Sequence, residues 1–310
     1  MGALAHIVVD WGTSSLRLWA LDRDGLILAE RRSSEGLHAA GAQGFEAVLE
    51  AHLAALGVPA GVPVMMCGMV GSRAGWVEAP YLHAPVRLDD LVARATQAPA
   101  KSRAVRILPG IAQTSADAPD VLRGEETQLL TLALARHTGL ACLPGTHSKW
   151  VRLEDGAVAG FATFMTGELF HFIRTSSVIA PAVEGADAVD PGSDDFRAGV
   201  AAALEQPALV THALFELRAG WLLAGTAPGE TLARLSGLLI GVELAGALRL
   251  HGSLDGAVLV AATSAAPLYQ RALAIAGVSD VATRDAEACV REGLHAAAMS
   301  AFHQPQELLS

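Results

Sequence analysis

The sequence has few cysteines and few charged residues. Its 310 residues include three cysteines, which lie far apart and form no CxxC pair. We therefore predict that the cysteines are buried thiols of a protein in a reducing compartment. Charged residues make up 17% of the chain, and the formal net charge is −10. Because nucleic acids and anionic membranes require clustered Lys and Arg, the sequence predicts neither as a partner.

Segments typical of a leader peptide or of a membrane span are also lacking. The N-terminus has no charged segment before its apolar run, and Asp10 interrupts that run, so no signal peptide is expected. The longest apolar helix candidate, residues 235–250, contains Glu243 and Arg249 and is predicted to be a core helix. We therefore expect a cytoplasmic protein. The length indicates two domains, and the hydrophobic content of 52% is ample for sizeable cores.

Two segments of the chain repeat one pattern. Residues 7–30 and residues 140–164 each contain an apolar run, a Gly-Thr pair beside small hydroxyl residues, an alternating run, an Asp-Gly pair and another apolar run. Such runs predict strands. The pairs Asp24-Gly25 and Asp155-Gly156 predict hairpin turns, because glycine accepts positive φ without steric cost. Each segment is thus predicted to form three strands joined by two turns.

The Gly-Thr turns predict a phosphate-binding cleft. The expected nucleotide- and phosphate-binding residues are Gly12, Thr13 and Ser14 in the first segment and Gly145, Thr146 and His147 in the second. If the two segments faced each other, these donors would surround one cleft that suits the phosphate tail of a nucleotide. His147 is predicted to form hydrogen bonds within the second turn rather than to bind a metal, because no second histidine stands at ligand spacing.

Three charged residues stand next to these turns. Mg²⁺ prefers one or two carboxylates together with water and phosphate, and Asp10, at the end of an apolar strand, is predicted to orient such a hydrated ion. A turn aspartate that caps backbone N–H groups is the alternative. Neutralising charge is the main task in phosphoryl transfer. Lys149 directly follows the second turn and is preferred for that role over Arg17, which lies on an alternating strand.

Further elements complete two similar halves, each with a meander, a helix, a strand and a helix. Helices are predicted over residues 44–56, 123–136, 167–175, 230–251, 267–276 and 286–302, with several more over 193–225. Strands are predicted over residues 64–67, 106–108 and 258–262. The best boundary between the halves lies at residues 138–140.

Several strings of the sequence resemble those of one enzyme family. In chain order they are DWGTSSLR, GMVGSRAGW, APYL, LPG, RGEETQL, PGTHSKW, MTGEL and SGLLIGVE. They resemble 2-dehydro-3-deoxygalactonokinases, and duplicated halves with Gly-Thr turns are the plan of the actin-like ATPase superfamily. The resemblance implies an α/β fold of two actin-like (ribonuclease H-like) domains with a nucleotide cleft between them. Residues 1–138 would carry the sugar-acid pocket and the first phosphate loop, and residues 139–310 the second phosphate loop and the adenosine site.

The resemblance also implies an activity, with ATP and a small sugar acid as substrates and Mg²⁺ as cofactor. The family phosphorylates the 6-hydroxyl of 2-dehydro-3-deoxy-D-galactonate with ATP, in galactonate and galactose catabolism. Glu125 resembles the residue that accepts the hydroxyl proton in related sugar kinases, with Glu126 as the close alternative. The family's adenosine motif corresponds to Thr263 and Ser264, although Ala262 replaces its usual glycine.

The sugar-acid pocket is predicted at the glycine-rich loop after the strand at residues 64–67, with Gly71, Ser72 and Arg73 as contacts. The substrate carboxylate needs a partner, because a buried unpaired charge is costly, and arginine suits this role best. The candidates are Arg73 and Arg123. Arg123 would either hold the carboxylate or order the neighbouring glutamates.

Two other functions stay open at this stage. One is another carbohydrate kinase of the superfamily, acting on an amino sugar or on 2-dehydro-3-deoxygluconate. The other is a non-catalytic, sugar-responsive regulator that binds ATP, although a DNA-binding regulator would need a basic segment that the sequence lacks. The oligomeric state is also open, with a homodimer as one option.

Overall fold

The computed structural model describes residues 2–303. Contacts between residues divide it into two compact units. The first unit contains the residues up to 138, residues 153–160 and the residues from 287 onwards, and the second contains residues 139–152 and 161–286. One change of unit lies between residues 138 and 139, and the predicted division into domains of residues 1–138 and 139–310 stays a prediction. The closing helix, which the sequence places in the second half, belongs to the first unit.

Strands and helices alternate along the chain, as the sequence predicts for an α/β fold. The strands are β1 (His6–Trp11), β2 (Leu16–Leu21), β3 (Ile27–Ser33), β4 (Val64–Cys67), β5 (Tyr81–His83), β6 (Val86–Arg87), β7 (Thr96–Gln97), β8 (Val105–Ile107), β9 (Gly110–Gln113), β10 (Asp120–Leu122), β11 (Gly139–Leu143), β12 (Ser148–Glu154), β13 (Ala157–Phe164), β14 (Val258–Ala261) and β15 (Thr283–Asp285). The helices are α1 (Leu37–Gln43), α2 (Phe45–Ala55), α3 (Asp89–Ala93), α4 (Glu126–Leu134), α5 (Thr166–Ser176), α6 (Asp194–Glu205), α7 (Val210–Ala224), α8 (Pro228–His251), α9 (Ala266–Ile275) and α10 (Ala286–His303).

The first unit contains the predicted N-terminal meander. β1 pairs antiparallel with β2, and β2 pairs antiparallel with β3. β4 lies parallel to β1, and β8 lies parallel to β4, which gives the sheet the order β3-β2-β1-β4-β8-β7. Gly25, in the turn between β2 and β3, has a φ of 81°, which agrees with the predicted Asp-Gly turn. Apolar residues on β1 and β2, among them Val9 and Leu18, are fully buried and share a core with Leu49 of α2.

The closing helix α10 packs against α4. The hydroxyl of Thr131 on α4 donates to the carbonyl oxygen of Cys289 on α10 at 2.8 Å. A Cβ at Gly293 would lie 1.9 Å from the carbonyl oxygen of Thr127, so this glycine lets the two helices approach closely. These contacts explain why α10 belongs to the first unit.

The second unit repeats the plan of the first. Its strands have the order β15-β14-β11-β12-β13, and β14 lies parallel to both β11 and β15. Asp155 and Gly156, with φ values of 48° and 77°, join β12 to β13 in the second predicted hairpin turn. The start of β13, which belongs to the first unit, pairs antiparallel with β6. The shared strand order confirms the predicted duplication.

The predicted core helix of the second unit is α8. It is long and apolar enough to cross a membrane, but 72% of its apolar window is buried inside the protein. α6 packs closely on α8, because glycines bring the two backbones together. A Cβ at Gly199 would lie 2.6 Å from the carbonyl oxygen of Arg234, and one at Gly237 would lie 2.3 Å from that of Phe196.

Six short elements within residues 81–122 have no recognisable pattern in the sequence. They are the strands β5, β6, β7, β9 and β10 and the helix α3, each of two to five residues. Hydrophobic periodicity needs a longer window to distinguish strand from helix, so such elements leave no recognisable pattern.

Candidate active site

The turn between β1 and β2 carries the first group of predicted phosphate donors. The N–H of Gly12 donates to the carbonyl oxygen of Ser15 at 2.9 Å, and the carbonyl oxygen of Gly12 accepts from the N–H of Leu37 at 3.0 Å. The turn is thus fixed against the start of α1. Thr13 and Ser14 are exposed, so a phosphate group can reach them.

Asp10 ends β1 and is held by Arg17. One carboxylate oxygen of Asp10 accepts from Arg17 Nη2 at 2.5 Å, and the other lies 3.8 Å from the sulfur of Cys67. Arg17 Nη1 lies 3.2 Å from the carboxylate of Glu287. The pKa of Glu287 is lowered, mainly by its hydrogen bond to Arg32. Burial raises the pKa of the Cys67 thiol. Arg17 therefore orients the Asp10 carboxylate. The positive charge of Arg17 is already paired with two carboxylates, those of Asp10 and Glu287.

Glu125 and Glu126, at the start of α4, have different surroundings. Glu126 is fully buried, and its Oε2 accepts from the N–H of Gly124 at 2.5 Å. Burial raises its pKa to about 8, and its Oε1 is buried without a hydrogen-bond partner in the described chain. Glu125 is half-buried, and its Oε2 accepts a hydrogen bond from the backbone N–H of Arg123 at 3.0 Å. Of the two, Glu125 is the more exposed.

Arg123 extends from the same loop over the ring of Tyr81. Its guanidinium carbon lies 4.3 Å from the ring centroid, and its Nη2 donates to the carbonyl oxygen of Ala79 at 2.8 Å. Its Nη1 is buried without a hydrogen-bond partner among residues 2–303, and so is the hydroxyl of Ser72. A Cβ at Gly71 would lie 3.0 Å from Nη1, so the glycine-rich loop packs against the guanidinium.

Three buried polar atoms of the first unit thus have no hydrogen-bond partner within the described residues. They are the Ser72 hydroxyl, Arg123 Nη1 and Glu126 Oε1. The loops that carry them touch, because a Cβ at Gly124 would lie 3.7 Å from the Cα of Gly68. Such atoms are normally satisfied by protein, water or a ligand. These two loops form the candidate sugar-acid site.

Arg73 does not belong to this group. Its side chain is 92% exposed, and its Nε lies 3.8 Å from the carboxylate of Glu78. Of the two arginines considered for the substrate carboxylate, the structure brings Arg123 to the candidate site and leaves Arg73 facing solvent.

The turn between β11 and β12 carries the second group of predicted phosphate donors. The carbonyl oxygen of Thr146 accepts from the N–H of Glu168 at 2.9 Å. A Cβ at Gly167 would lie 2.3 Å from the carbonyl oxygen of Gly145. His147 Nε2 lies 2.6 Å from the carboxylate of Glu168. The first turn of α5 therefore packs directly on this loop and orders it.

Lys149 follows the second loop on β12 and is buried. Its ammonium group donates to the carbonyl oxygen of His147 at 2.9 Å. This hydrogen bond therefore stabilises the second loop. Its predicted role in neutralising the transferring charge stays a prediction.

A cavity of about 680 Å³ lies beside the second loop, within the second unit. Gly145 and Ser264 both line it, so the structure brings the second loop and the predicted adenosine motif together. Thr263, the neighbour of Ser264, is exposed. Much of the apolar wall comes from α5, α8 and α9, with Phe170, Leu232, Leu239, Ile240 and Leu268. A concave, mostly apolar wall with a few polar groups is typical of a small-molecule site.

A larger cavity of about 1160 Å³ lies in the first unit and contains none of the predicted site residues. It is found at the C-terminal ends of α4 and α10, and charges of both signs line it, among them Arg23, Asp89 and Arg136. This larger cavity is not the candidate site, because residues of suitable chemistry do not converge there.

Similarity to known proteins establishes the family of the chain. Residues 10–297 match the model of the 2-keto-3-deoxy-galactonokinase family. The chain belongs to this family. A Rhizobium meliloti protein named "Probable 2-dehydro-3-deoxygalactonokinase" is 50% identical over 295 residues, which cover 94% of this chain and 96% of that protein. The 2-dehydro-3-deoxygalactonokinase of Escherichia coli K12 is 36% identical over 297 residues, with coverage of 94% and 98%.

A solved structure supports the same conclusion. The crystal structure of a Sinorhizobium meliloti protein, provisionally named a 2-dehydro-3-deoxygalactonokinase, is 49% identical and has a TM-score of 0.92. The match covers 96% of this chain and 100% of that one. The predicted family, the kinase class and an α/β fold of two compact units are therefore confirmed.

Asp10 has the chemistry and the position of a Mg²⁺ ligand. Proteins usually hold Mg²⁺ through one or two carboxylates, with water and substrate phosphates as the other ligands. Within residues 2–303, no group of three or more His, Cys, Asp or Glu side chains is arranged to hold a metal. Asp10 lies next to the first phosphate loop, and Arg17 fixes one of its oxygens. A single oriented carboxylate suits an ion whose other ligands come from nucleotide and water.

Sequence reasoning missed four residues that the structure of this kinase brings to these sites. Cys67 lies beside Asp10, Tyr81 lies under Arg123, Glu287 contacts Arg17, and Glu243 lies behind the cavity of the second unit. For Glu243 the sequence does carry a signal, since a carboxylate in an apolar helical stretch is rarely buried without a paired role.

Proposed function

We propose that the chain is a cytoplasmic kinase that transfers the terminal phosphoryl group of ATP to the 6-hydroxyl of 2-dehydro-3-deoxy-D-galactonate, with Mg²⁺ as cofactor. Relatives of 50% and 36% identity are named for this substrate. One observation in this chain carries the proposal. Glu125, which is accessible to substrate, neighbours Arg123, whose guanidinium has an unsatisfied buried nitrogen. A sugar acid needs both, a base for its hydroxyl and a cation for its carboxylate.

Glu125 is the general base of the proposal. The attacking hydroxyl loses its proton late in a loose transition state, so a carboxylate is a sufficient base. The backbone N–H of Arg123 donates to Oε2 of Glu125 at 3.0 Å and so orients the carboxylate. Glu126 is not suited to this role, because it is fully buried and its raised pKa of about 8 keeps it protonated at neutral pH. Its carboxyl group instead supports the loop through Gly124.

Arg123 is the proposed partner of the substrate carboxylate. Its guanidinium is fixed by the ring of Tyr81 and by the carbonyl oxygen of Ala79. Its Nη1 has no hydrogen-bond partner within the described residues. A planar guanidinium can donate two parallel hydrogen bonds to a carboxylate. The orphaned hydroxyl of Ser72 offers a further donor from the glycine-rich loop.

The cavity of the second unit is proposed to take the adenosine of ATP. Its apolar wall suits a nucleobase, and Ser264 adds a polar group. The loop at Gly145 and Thr146 would bind phosphate oxygens, and Thr13 and Ser14 are proposed as further donors. Mg²⁺, oriented by Asp10, would neutralise phosphate charge when bound.

A coupled ADP-release assay tests the proposal. The chain would be supplied with Mg-ATP and, in separate reactions, with 2-dehydro-3-deoxy-D-galactonate, its gluconate epimer and N-acetylglucosamine. We expect the galactonate acid to give the highest kcat/KM and a product phosphorylated at carbon 6 in phosphorus NMR. Glu125→Gln serves as the background control. Release of ADP that rises with the amino sugar, or with none of the acids, would refute the proposed activity.

A further inference from the structure

Glu243 is a buried acid in the second unit. It lies on α8 and is 1% exposed. Removing a carboxylate from water is costly unless hydrogen bonds satisfy it. The indole N–H of Trp150 donates to Oε1 at 3.0 Å, and the hydroxyls of Tyr269, at 2.7 Å, and of Thr166 donate to Oε2. Burial raises the pKa of Glu243, and these hydrogen bonds oppose part of that effect.

Two of the donors to Glu243 belong to the cavity wall. Thr166 and Tyr269 both line the cavity beside the second phosphate loop. The Tyr269 hydroxyl also lies 2.9 Å from the hydroxyl of Ser148, at the start of β12. The hydrogen-bond network therefore joins α5, α8, α9 and β12 behind the cavity.

Thr166 also begins the helix that packs on the phosphate loop. The next residue, Gly167, touches the loop, because a Cβ there would lie 2.3 Å from the carbonyl oxygen of Gly145. The residue after it, Glu168, donates its N–H to the carbonyl oxygen of Thr146 at 2.9 Å. The Glu243 carboxyl group thus accepts a hydrogen bond from Thr166, and the next two residues, Gly167 and Glu168, contact the second phosphate loop. A displacement of Thr166 is therefore passed to the loop within one helical turn.

We propose that Glu243 is a positioning residue for nucleotide binding, which orients Thr166 and Tyr269 and thereby fixes the second phosphate loop and one wall of the cavity. The inference rests on the proposed function, which assigns this cavity to the nucleotide. The Glu243 carboxyl group has two acceptor oxygens, and together they serve the donors that surround it. Glutamine has one acceptor oxygen, and its amide nitrogen would face groups that themselves donate.

The test is the affinity of the Glu243→Gln variant for Mg-ADP, measured by titration calorimetry, together with both KM values. We expect the Kd of ADP and the KM of ATP to rise about tenfold, the effect of losing a hydrogen bond to a charged group that orders a site. The KM of the sugar acid is expected to stay within about twofold of the original, because its site uses other residues.

Thr231→Val is the matched control. Thr231 is buried on the same helix, and its hydroxyl donates to the carbonyl oxygen of Ala227 at 3.1 Å. This variant is expected to lose stability and to keep its affinity for ADP. Equal losses of ADP affinity in Thr231→Val and Glu243→Gln would overturn the proposal, since they would show general damage to the unit. Equal losses for ADP and for the sugar acid in Glu243→Gln would do the same.

Two further variants keep the test decisive if Glu243→Gln does not fold. Thr166→Val and Tyr269→Phe each remove one donor and leave the carboxylate in place. Each is expected to raise the Kd of ADP about threefold or more, and unchanged affinity in both would overturn the proposal. An original chain that does not bind ADP would refute the cavity assignment and this inference with it. A chain that binds ADP in this way and phosphorylates no sugar acid would refute only the proposed activity.

Discussion

Arg17 Nη2 lies 2.5 Å from a carboxylate oxygen of Asp10, and Arg17 Nη1 lies 3.2 Å from Glu287. The guanidinium is therefore held from two sides, by the end of β1 and by the start of α10. Asp10 is oriented before any ligand binds, and such pre-organisation lowers the cost of binding an ion or a substrate.

Arg17→Gln is expected to raise the Mg²⁺ concentration for half-maximal activity about tenfold, as losses of groups that orient a metal ligand usually do. The variant is also expected to gain less thermal stability from Mg-ADP than the original chain. Arg32→Gln is the control, because Arg32 contacts the same carboxylate of Glu287. Equal shifts in both variants would show that the effect comes from Glu287 and not from the orientation of Asp10.

Glu125→Gln is expected to lower kcat by about 10²–10⁴-fold, the usual contribution of general base catalysis, with the Kd of ADP unchanged. Glu126→Gln is expected to keep kcat within about tenfold at neutral pH, because glutamine resembles the protonated carboxyl group in charge and shape. Steady-state kinetics of both variants decide the assignment. An active Glu125→Gln beside an inactive Glu126→Gln would move the base to Glu126.

Arg123→Ala is expected to raise the KM of the sugar acid by about tenfold or more, since a charge-assisted pair with the carboxylate is lost. Arg123→Lys should recover part of this loss, because it keeps the charge without the planar fork. Arg73→Ala should leave both constants near their original values, as its side chain is 92% exposed. A fall in kcat at constant KM in Arg123→Ala would mean that Arg123 orders Glu125 instead.

The sequence predicts the elements of this fold well because their patterns are local. Both meanders are found with their Asp-Gly turns, and the helix predicted over residues 230–251 is found at Pro228–His251. Apolar periodicity and turn chemistry act within a few residues, so they can be read from one chain. The assignment of α10 to the first unit could not be read in this way, because it depends on contacts such as that between Thr131 and Cys289.

The site is predicted less completely, because burial is a tertiary property. The sequence places two glutamates and two arginines near the sugar-acid pocket, and it does not say which of each pair faces inwards. Glu126 is fully buried where Glu125 is half-buried, and Arg123 lies over Tyr81 where Arg73 faces solvent. These differences come from packing between loops that are distant in sequence.

His6, at the start of β1, is fully buried against two other histidines. Its Nε2 lies 3.1 Å from His295 Nδ1, and its Nδ1 lies 3.3 Å from His303 Nε2. Burial and these two imidazoles lower the pKa of His6 from 6.5 to about 4, against a smaller opposite effect of Asp22. Burial also lowers the pKa of His295 and of His303.

We expect the folded chain to lose stability as the pH falls from 6.5 towards about 4. In this range the unfolded chain binds a proton at His6 and the folded chain does not, so the free energy of unfolding decreases with falling pH. The contribution of His6 is fully present above this range. Urea unfolding at a series of pH values should give a flatter dependence for His6→Gln, with a residual slope from the other two histidines. The exposed His38 provides the control. His38→Gln should follow the original chain, and an equally steep dependence in His6→Gln would contradict the prediction.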